Sequence, residues 1–583
     1  MLHTLTRSLR ENKGPALVTV LLSALEVVFE IVIPLFMSNL IDFGIEGGSM
    51  AAVWKFGAFL LLLAAFQLAT GVLAARIAAR ASVGFAANLR EDMYDNVQTF
   101  AFSNIDKFST ASIVTRLTTD TTNVQNAFQM LMRMAIRAPV MLIFSMIVSF
   151  RISRDISMTF LIILPILALA LFFIIRSVFP VFSRVFRTYD ELNNVVQENV
   201  RGIRVVKSFN QERHEIGKFG AISERIYKDF SKGERLITLN APLMQFCIYT
   251  CMIVISWLGA KAIIASGNDP ALGLTTGNLT ALITYTMQIL SSLMMLSMVF
   301  AMLTISLSSA RRIAEVLEER SDIPQPEQPV MTVRNGAVDF DHVSFVYASK
   351  ADKKVLDDID LHIRSGETIG IIGGTGASKS SLVQLIPRLY DVTDGKLTLG
   401  GVDVRDYDLD TLRGAVAMVL QKNELFSGTI AENLRWGNEN ATDEQLRHAC
   451  KLACADEFIS AMPDGYDTHI EQGGTNVSGG QKQRLCIARA LLKKPKVLIL
   501  DDSTSAVDTR TDAQIQQALS TYIPDTTKII IAQRISSVQN ADRIVVLDDG
   551  HIDAVGCHDE LLRTCEIYRE VYESQQKGGE DDA

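Results

Sequence analysis

Two short stretches in the C-terminal half of the chain combine residue types that bind phosphate and metal. The first, GGTGASKSS, matches the phosphate-loop pattern G-x-x-x-x-G-K-S/T at every fixed position except one, where Ser378 replaces glycine. Backbone N–H groups of such a loop surround phosphates, Lys379 would reach the β- and γ-phosphates, and Ser380 would hold Mg²⁺. Serine at position 378 costs backbone freedom if that position needs a positive φ. The phosphate loop is assigned as Gly373, Gly374, Thr375, Gly376, Ala377, Ser378, Lys379, Ser380 and Ser381.

The second stretch is KVLILDDSTSAVD, residues 496–508, in which four apolar residues lead into Asp501 and Asp502. This pattern is typical of a buried strand that presents carboxylates to a phosphate-bound metal, so we assign Asp501 as the metal-side carboxylate. In the chemistry that such a strand usually serves, the second carboxylate is a glutamate that activates water. Asp502 is one methylene shorter, which puts hydrolysis at this site in question.

A third stretch, NVSGGQKQRLCIARALL (476–492), opens an amphipathic helix with one serine and two glycines. An exposed helix N-terminus is a further phosphate-binding element, and one domain has no use for two of them on one γ-phosphate. The motif therefore predicts that this chain reaches a nucleotide held by a second copy or a paralogue. The signature segment comprises Val477, Ser478, Gly479, Gly480 and Gln481.

These motifs, in this order and after an apolar N-terminal half, resemble the ABC transporters of the exporter type. The resemblance covers nearly the whole chain and implies a six-helix half-transporter that works as a dimer with two ATP molecules, each bound with Mg²⁺. It implies that Tyr347 stacks on adenine and that Gln421 joins Ser380 and Asp501 at the metal. It also assigns a D-loop and places RLTTD (116–120) and VVKSF (205–209) near the coupling turns. The D-loop residues are Ser505, Ala506, Val507 and Asp508.

The chain departs from the family pattern at four positions. Asp502 replaces the water-positioning glutamate, Gln533 replaces the switch histidine, Ser378 replaces the last loop glycine, and Gln472 replaces a glutamate before the signature segment. The first three belong to one composite site. A misplacement near 1 Å can cost about 100-fold in rate, and glutamine cannot exchange a proton as histidine can. The pattern therefore favours a site that binds ATP, hydrolyses it slowly, and is paired with a competent site on a paralogous half-transporter.

Two other functions stay open at this point. The chain could form a slow homodimeric exporter resembling a lipid flippase, or use the exporter fold for uptake or as a regulatory ATPase. For the favoured heterodimeric exporter, the expected substrates are hydrophobic or amphipathic compounds such as drugs, lipids or peptides, moved out of the cytoplasm or the inner leaflet. No motif specifies which of these is carried.

The length and charge distribution fit two domains. The chain has 583 residues, and residues 1–320 carry 29 Lys and Arg against 23 Asp and Glu, whereas the remainder carries 27 against 42. An acidic balance of this size argues against nucleic acid as a partner. The proline-rich stretch before the strands predicts a linker at 321–335. We therefore expect an all-α membrane domain at 1–320 with long cytoplasmic helical extensions, followed by an α/β P-loop ATPase domain of the ABC type at 336–583.

Six apolar stretches are each long enough to cross a bilayer. Lys and Arg are absent from the connections 43–49 and 262–277 and abundant in 79–131 and 180–240. The positive-inside rule then places both termini and both long loops in the cytoplasm of a multi-pass protein of a cell membrane, most simply a bacterial plasma membrane. Each long loop is expected to end in a short turn, near 103–108 and 208–213. The predicted spans lie near 15–38, 57–78, 132–150, 157–179, 241–264 and 278–303.

Several residues within these spans are candidates for a substrate cavity. Glu26 and Glu30 lie one helical turn apart in the first span, where a carboxylate is costly and faces either an aqueous cavity or a partner. Met294 and Met298 belong to a methionine stripe in the sixth span, which is typical either of packing or of an adaptable surface for apolar ligands. Cys450 and Cys454 are four residues apart without a nearby ligand partner, so packing is favoured over a metal site.

Overall fold

The computed structural model describes residues 1–269, 273–347, 354–374, 376–503 and 506–580. The chain divides into two compact units, one formed by Met1–Gln98 with Thr110–Glu319 and the other by Thr99–Ser109 with Arg320–Ala583. The short segment Thr99–Ser109 therefore belongs to the second unit, although the segments on both sides of it in the sequence belong to the first.

The described residues of the first unit contain six helical segments long and apolar enough to span a membrane, which confirms the predicted number of spans. These segments are Arg10–Glu46, Met50–Gln98, Thr110–Ile152, Arg154–Arg201, Glu212–Ser266 and Thr276–Phe300. The helices up to Glu318 are α1 Leu2–Arg7, α2 Lys13–Asn39, α3 Met50–Gln98, α4 Phe102–Phe108, α5 Thr110–Thr115, α6 Thr121–Ile152, α7 Arg154–Arg201, α8 Ile203–Ser208, α9 Glu212–Thr238, α10 Asn240–Ser266 and α11 Thr276–Glu318. Single π-helical turns at Leu40–Glu46 and Arg116–Asp120 adjoin α2 and α6.

The long helices extend well beyond the thickness of a bilayer. Helix α3 has 49 residues, which corresponds to about 74 Å at the usual helical rise, against about 30 Å of hydrocarbon. Small buried residues of α3, among them Ala74, Ala78 and Ala81, allow close helix packing. In the same unit, the Tyr285 hydroxyl of α11 donates to the Ile31 carbonyl of α2 at 2.6 Å. The polar tip of a fully buried tyrosine is thereby satisfied between two membrane helices.

The described residues of the second unit form three β-sheets. Its strands are β1 Val338–Phe345, β2 Leu356–Ile363, β3 Thr368–Gly373, β4 Asp394–Leu399, β5 Val402–Asp403, β6 Val416–Val419, β7 Gly428–Thr429, β8 His469–Ile470, β9 Val497–Asp501, β10 Thr527–Ile531, β11 Arg543–Asp548 and β12 His551–Gly556. The sheet orders are β2-β1-β4-β5, β12-β11-β3-β10-β9-β6 and β7-β8. The helices of this unit beyond α4 are α12 Lys379–Leu385, α13 Leu409–Ala415, α14 Ile430–Arg435, α15 Asp443–Leu452, α16 Asp456–Ser460, α17 Gly479–Leu492, α18 Thr509–Tyr522, α19 His558–Thr564 and α20 Glu566–Glu580.

The six-stranded sheet positions the predicted site residues. Strand β10 lies between β3 and β9, and all three run parallel, with Ile531 paired to Asp501 on one side and to Ile371 on the other. Every residue of β9 and β10 is buried, as expected for parallel strands covered on both faces. Because parallel strands end at one edge, the segments that follow β3, β9 and β10 meet there.

One predicted turn proves to be a helix. The turn expected near 103–108 is α4, whose N-terminus is closed by Asn104, since its side-chain oxygen accepts from the Ala101 N–H at 3.0 Å. Within the second unit, the Tyr390 hydroxyl donates to Asp106 Oδ2 at 2.9 Å, and the Phe102 ring lies 6.0 Å from the Tyr390 ring. The other expected turn, near 208–213, does lie between two helices, because α8 ends at Ser208 and α9 begins at Glu212.

Cys450 occupies an apolar core of the second unit, together with side chains of α14, α15 and α17. Burial raises the pKa of its thiol to about 12. The protonated thiol is therefore the form that this environment favours.

Candidate functional site

The phosphate loop joins the end of β3 to the start of α12. Gly373 must be glycine, because a Cβ there would come within 2.2 Å of the Leu547 carbonyl oxygen. Ser378 has φ 64° and ψ 20°, the left-handed conformation in which a side chain costs energy. A Cβ added at Gly374 or Gly376 would meet no atom of the described residues within 4 Å, so the loop leaves room for a ligand. Thr375 lies outside the described residues.

Lys379 holds its ammonium group against this loop. Its Nζ donates to the carbonyl oxygens of Gly373 and Gly374, both at 2.8 Å. Burial lowers the pKa of Lys379, while the charges of Asp501 and Asp502 oppose that shift. A half-buried ammonium among backbone polar groups is suited to binding a phosphate. The attraction between the two charges is stronger in a partly buried site than in open water.

Ser380 and Asp501 form a pair of oxygen ligands. The Ser380 hydroxyl donates to Asp501 Oδ1 at 3.0 Å, which joins the start of α12 to the end of β9. Burial raises the pKa of Asp501, and the neighbouring Asp502 charge raises it further. Mg²⁺ takes hard oxygen ligands, usually from one or two protein groups together with substrate phosphates and water, so this pair of oxygens fits Mg²⁺ beside ATP.

Asp502 is held by two side-chain amides instead of facing open space. Gln533 donates to Asp502 Oδ2 at 2.7 Å, and Gln421 donates to the same oxygen at 3.3 Å. Asp502 itself has φ 47°, and its N–H donates to the Ile531 carbonyl at 3.0 Å. Gln421, which the family resemblance assigned to the metal, thus contacts Asp502 here and remains a predicted metal ligand.

Tyr347 stands at the other end of the phosphate loop. Its hydroxyl lies 2.8 Å from Ser381 Oγ, and its ring meets the Tyr390 ring edge-to-face at 5.1 Å. The side chain is 44% exposed, so a ring face is available for stacking on a base. Tyr390 was not among the sequence candidates, although it lies only five residues beyond the end of the phosphate-loop helix.

The signature segment forms the N-terminus of α17. Ser478 and Gln481 cap it reciprocally, since Gln481 N donates to Ser478 Oγ at 3.3 Å and Ser478 N donates to Gln481 Oε1 at 2.9 Å. Gly479 is exposed, whereas Val477 and Gly480 are partly buried. The helix start is thus fixed, and its glycine face stays accessible in the single chain.

The D-loop packs on this same helix. The Ala506 N–H donates to Gln483 Oε1 of α17 at 3.1 Å, and Val507 is buried. Asp508 caps α18, with its Oδ1 accepting from the Thr511 N–H at 2.9 Å. Ser505 lies outside the described residues. The second unit therefore contains two groupings, the phosphate loop with Asp501, Asp502, Gln421 and Gln533, and the signature segment with the D-loop.

In the first unit, Glu26 and Glu30 share one cationic partner. Arg137 of α6 donates to Glu26 Oε1 at 2.8 Å and to Glu30 Oε2 at 2.7 Å. Of the two alternatives raised by the sequence, an aqueous cavity or a partner side chain, this contact corresponds to the partner side chain. The sequence signal was present, because Arg137 interrupts an apolar span. Met294 and Met298 are exposed in the single chain.

Comparisons with known proteins give a consistent result. Residues 16–294 match the family model described as "ABC transporter transmembrane region", and residues 356–505 match the family model described as "ABC transporter". The chain is 35% identical over 558 residues to YfiB of Bacillus subtilis, an uncharacterized ABC transporter ATP-binding protein, covering 96% of each. It is 34% identical over 490 residues to YknU of the same organism, also an uncharacterized ABC transporter ATP-binding protein, covering 84% of this chain and 83% of that one.

A solved structure shares the fold. It is titled "Structure of a bacterial Atm1-family ABC exporter with ATP bound" and aligns with a TM-score of 0.82 over 97% of this chain and 99% of that chain. The sequence identity is 23%, so the likeness concerns the fold.

Proposed function

The chain belongs to the ABC transporter family, and we propose that it is one half of a heterodimeric ATP-driven exporter whose own phosphate site is impaired. The observation that carries this proposal is the environment of Asp502. Its Oδ2 accepts from the amides of Gln533 and Gln421. The family resemblance implies a longer carboxylate at position 502 and a histidine at position 533. A carboxylate whose oxygen already accepts two hydrogen bonds is poorly placed to orient and deprotonate a water molecule.

ATP binding by this site has independent support. Lys379 would bind the phosphates, and Ser380 with Asp501 would hold Mg²⁺, helped by Gln421. When bound, Mg²⁺ would neutralise charge on the transferring phosphoryl group. Tyr347 would stack on the adenine. Apart from Ser378 in the phosphate loop, the residues that bind nucleotide therefore keep the family's residue types. Asp502 and Gln533 stand at the two positions that would orient water and exchange a proton.

The need for a partner follows from the signature segment and from a second exposed surface. The capped start of α17 offers backbone N–H groups at an exposed helix terminus, which suits a phosphate held by another chain. At the tip of the second long loop, Val205 is 60% exposed and Phe209 is 70% exposed. Apolar side chains at the tip of a long helical loop favour docking on another subunit. We infer a paralogous half-transporter, because the degenerate site requires a competent one elsewhere.

Export is the direction that the fold supports best. The membrane segments and the ATPase domain are fused in one chain, and the fold is that of a solved ABC exporter. We propose hydrophobic or amphipathic substrates taken from the cytoplasm or the inner leaflet, with both termini in the cytoplasm and the protein in a bacterial plasma membrane. Exposed Met294 and Met298 would line the substrate path as adaptable apolar contacts.

The deciding experiment compares the chain alone with the chain copurified with a paralogous half that has an intact glutamate and histidine. Both are reconstituted in nanodiscs, and phosphate release is measured with a panel of hydrophobic compounds. We expect stimulated turnover only in the pair, with Lys379→Ala as the control for binding at this chain's site. Stimulated turnover of the chain alone would instead support the homodimeric exporter, and ATP-dependent accumulation inside cells would support uptake.

A further inference from the structure

The C-terminal helix α20 contacts the segment that carries Gln533. The Gln575 side chain makes two hydrogen bonds to the backbone of this switch segment (533–535). Its Nε2 donates to the Gln533 carbonyl at 2.7 Å, and its Oε1 accepts from the Ile535 N–H at 2.9 Å. One side chain therefore holds two backbone groups, both on the switch segment.

The pairing imitates a missing strand. In a parallel ladder, the N–H of one residue donates to the residue before its neighbour, and the C=O of the same residue accepts from the residue after that neighbour. Gln575 takes these same two groups on either side of Arg534. Strand β10 ends at Ile531, so the switch segment lies just beyond the sheet. The side-chain amide of Gln575 thus makes the two backbone hydrogen bonds that one residue of an adjacent parallel strand would make.

Helix α20 is itself anchored. Tyr568 is fully buried, and its hydroxyl lies 2.7 Å from His558 Nδ1. Val571 and Tyr572 pack against the same apolar core. Gln575 follows Tyr568 by seven residues, which places it on the same face of the helix. The anchored helix therefore presents Gln575 to the switch segment.

We propose that Gln575 is a positioning residue for the γ-phosphate end of this chain's ATP site. It acts through Gln533, whose backbone it fixes and whose side-chain amide donates to Asp502 Oδ2 at 2.7 Å. The inference rests on the proposed ATP site and deepens it, because α20 then helps to hold the Gln533 amide in its hydrogen bond to Asp502. Displacing α20 releases the Gln533 backbone and loosens the amide on Asp502.

The first test measures hydrogen exchange of the full chain in nanodiscs without nucleotide. Gln575→Ala should speed exchange in peptides covering 533–538 by about fivefold, as expected for the loss of a hydrogen bond with a net value near 1 kcal/mol. Gln576→Ala is the matched control, because Gln576 bonds only to Tyr572 of the same helix among the hydrogen bonds that the structure gives it. Gln575→Glu keeps the acceptor for Ile535 and loses the donor for Gln533, so it should give an intermediate rate. Equal exchange in the two alanine variants would overturn the proposal.

A double-mutant cycle separates positioning from mere structural support. If Gln575 acts on Asp502 through Gln533, the effects of Gln575→Ala and Asp502→Ala on exchange in 533–538 should not add, since the two residues share one chain of hydrogen bonds. Strictly additive effects would overturn the proposal. This cycle needs no hydrolysis, so its outcome does not depend on whether the site turns over ATP.

A kinetic readout completes the test. In the complex whose site is restored by Asp502→Glu with Gln533→His, and whose partner glutamate is replaced by glutamine, Gln575→Ala should lower kcat about three- to tenfold and leave KM for ATP unchanged. Gln576→Ala should change neither quantity. A raised KM with unchanged kcat would assign Gln575 to binding and overturn the proposal. If the restored complex does not turn over at all, the proposed cause of the site's impairment fails, and the exchange cycle still decides the role of Gln575.

Discussion

Gln533 donates its side-chain amide to Asp502 Oδ2 at 2.7 Å, joining two of the four positions at which the sequence departs from the family pattern. The contact makes the two replacements mutually compatible. A shorter carboxylate leaves space that an amide fills, and an amide neither gives nor takes a proton under ordinary conditions. Under the proposed function, this contact keeps the nucleotide site in a state suited to holding ATP, and this leads to the first predictions.

The chain alone should show little ATPase activity. Both sites of a homodimer would contain Asp502 engaged by amides, so neither would activate water efficiently. Purified alone in nanodiscs, the chain should release phosphate far below the rate of about 1–10 per second typical of enzymes. Turnover at such a rate would contradict the heterodimer argument.

Restoring two side chains should return part of the activity. Asp502→Glu with Gln533→His lengthens the carboxylate and supplies a titratable group, and neither position is in the membrane unit. The partner's own glutamate is replaced by glutamine, so that only this site is counted. We expect a measurable rise in phosphate release that Lys379→Ala abolishes. Recovery should be partial, because Ser378 and Gln472 remain. A rise seen only after repair of the partner's signature would place the main defect on the other chain.

The signature segment should matter more for turnover of the pair than Asp502 does. Gly479→Leu would fill the space at the exposed start of α17 and should nearly abolish activity, whereas Asp502→Ala should reduce it modestly. Gly479→Ala tests folding, because its Cβ would lie at an ordinary 3.5 Å from the Ala506 Cβ. Its thermal midpoint should equal that of the unmodified protein. Equal loss of activity in Gly479→Leu and Asp502→Ala would refute this division of labour.

Replacing Ser378 by glycine should stabilise the phosphate loop. Ser378 has φ 64°, and a non-glycine residue in this region costs about 1–2 kcal/mol, partly offset by the greater unfolded-state entropy of glycine. We expect Ser378→Gly to raise the melting temperature of the ATPase unit by a few degrees and to tighten ATP binding. Ala377→Gly is the control, since Ala377 is buried and is not among the positive-φ residues of the structure. It should lower the melting temperature. A lower melting temperature in Ser378→Gly would contradict the claim that the positive φ at Ser378 strains the loop.

Arg137 should be essential for stability of the membrane unit. Its removal leaves Glu26 and Glu30 side by side without the Arg137 cation. Breaking a fully buried ion pair costs about 3–5 kcal/mol, and this partly buried pair should cost less. Arg137→Gln should therefore lower the melting temperature in nanodiscs strongly. The triple variant Glu26→Gln, Glu30→Gln, Arg137→Gln removes all three charges and should recover most of the loss. Similar losses in the single and triple variants would show that charge compensation is not the reason.

Much of the site was accessible from the sequence because its patterns are local. Gly373, Lys379 and Ser380 lie within eight consecutive residues, and the strand before Asp501 is an unbroken apolar run, so each motif specifies its own strand, loop or helix start. The number of spans follows in the same way from the length of the apolar stretches. Even the positive φ at Ser378 was foreseeable, since the pattern places glycine there.

Only the tertiary structure decided which of these residues meet. Gln533 contacts Asp502, 31 residues away in the sequence, because β10 lies beside β9. The order of strands in a sheet cannot be predicted from the sequence of either strand alone. Arg137 reaches Glu26 across 111 residues because α6 packs on α2. In the sequence Gln575 is an ordinary polar residue of the C-terminal helix, and only the fold brings it to the switch segment. Contacts between distant residues depend on how the elements pack, and packing is settled by the whole buried surface, which no single motif contains.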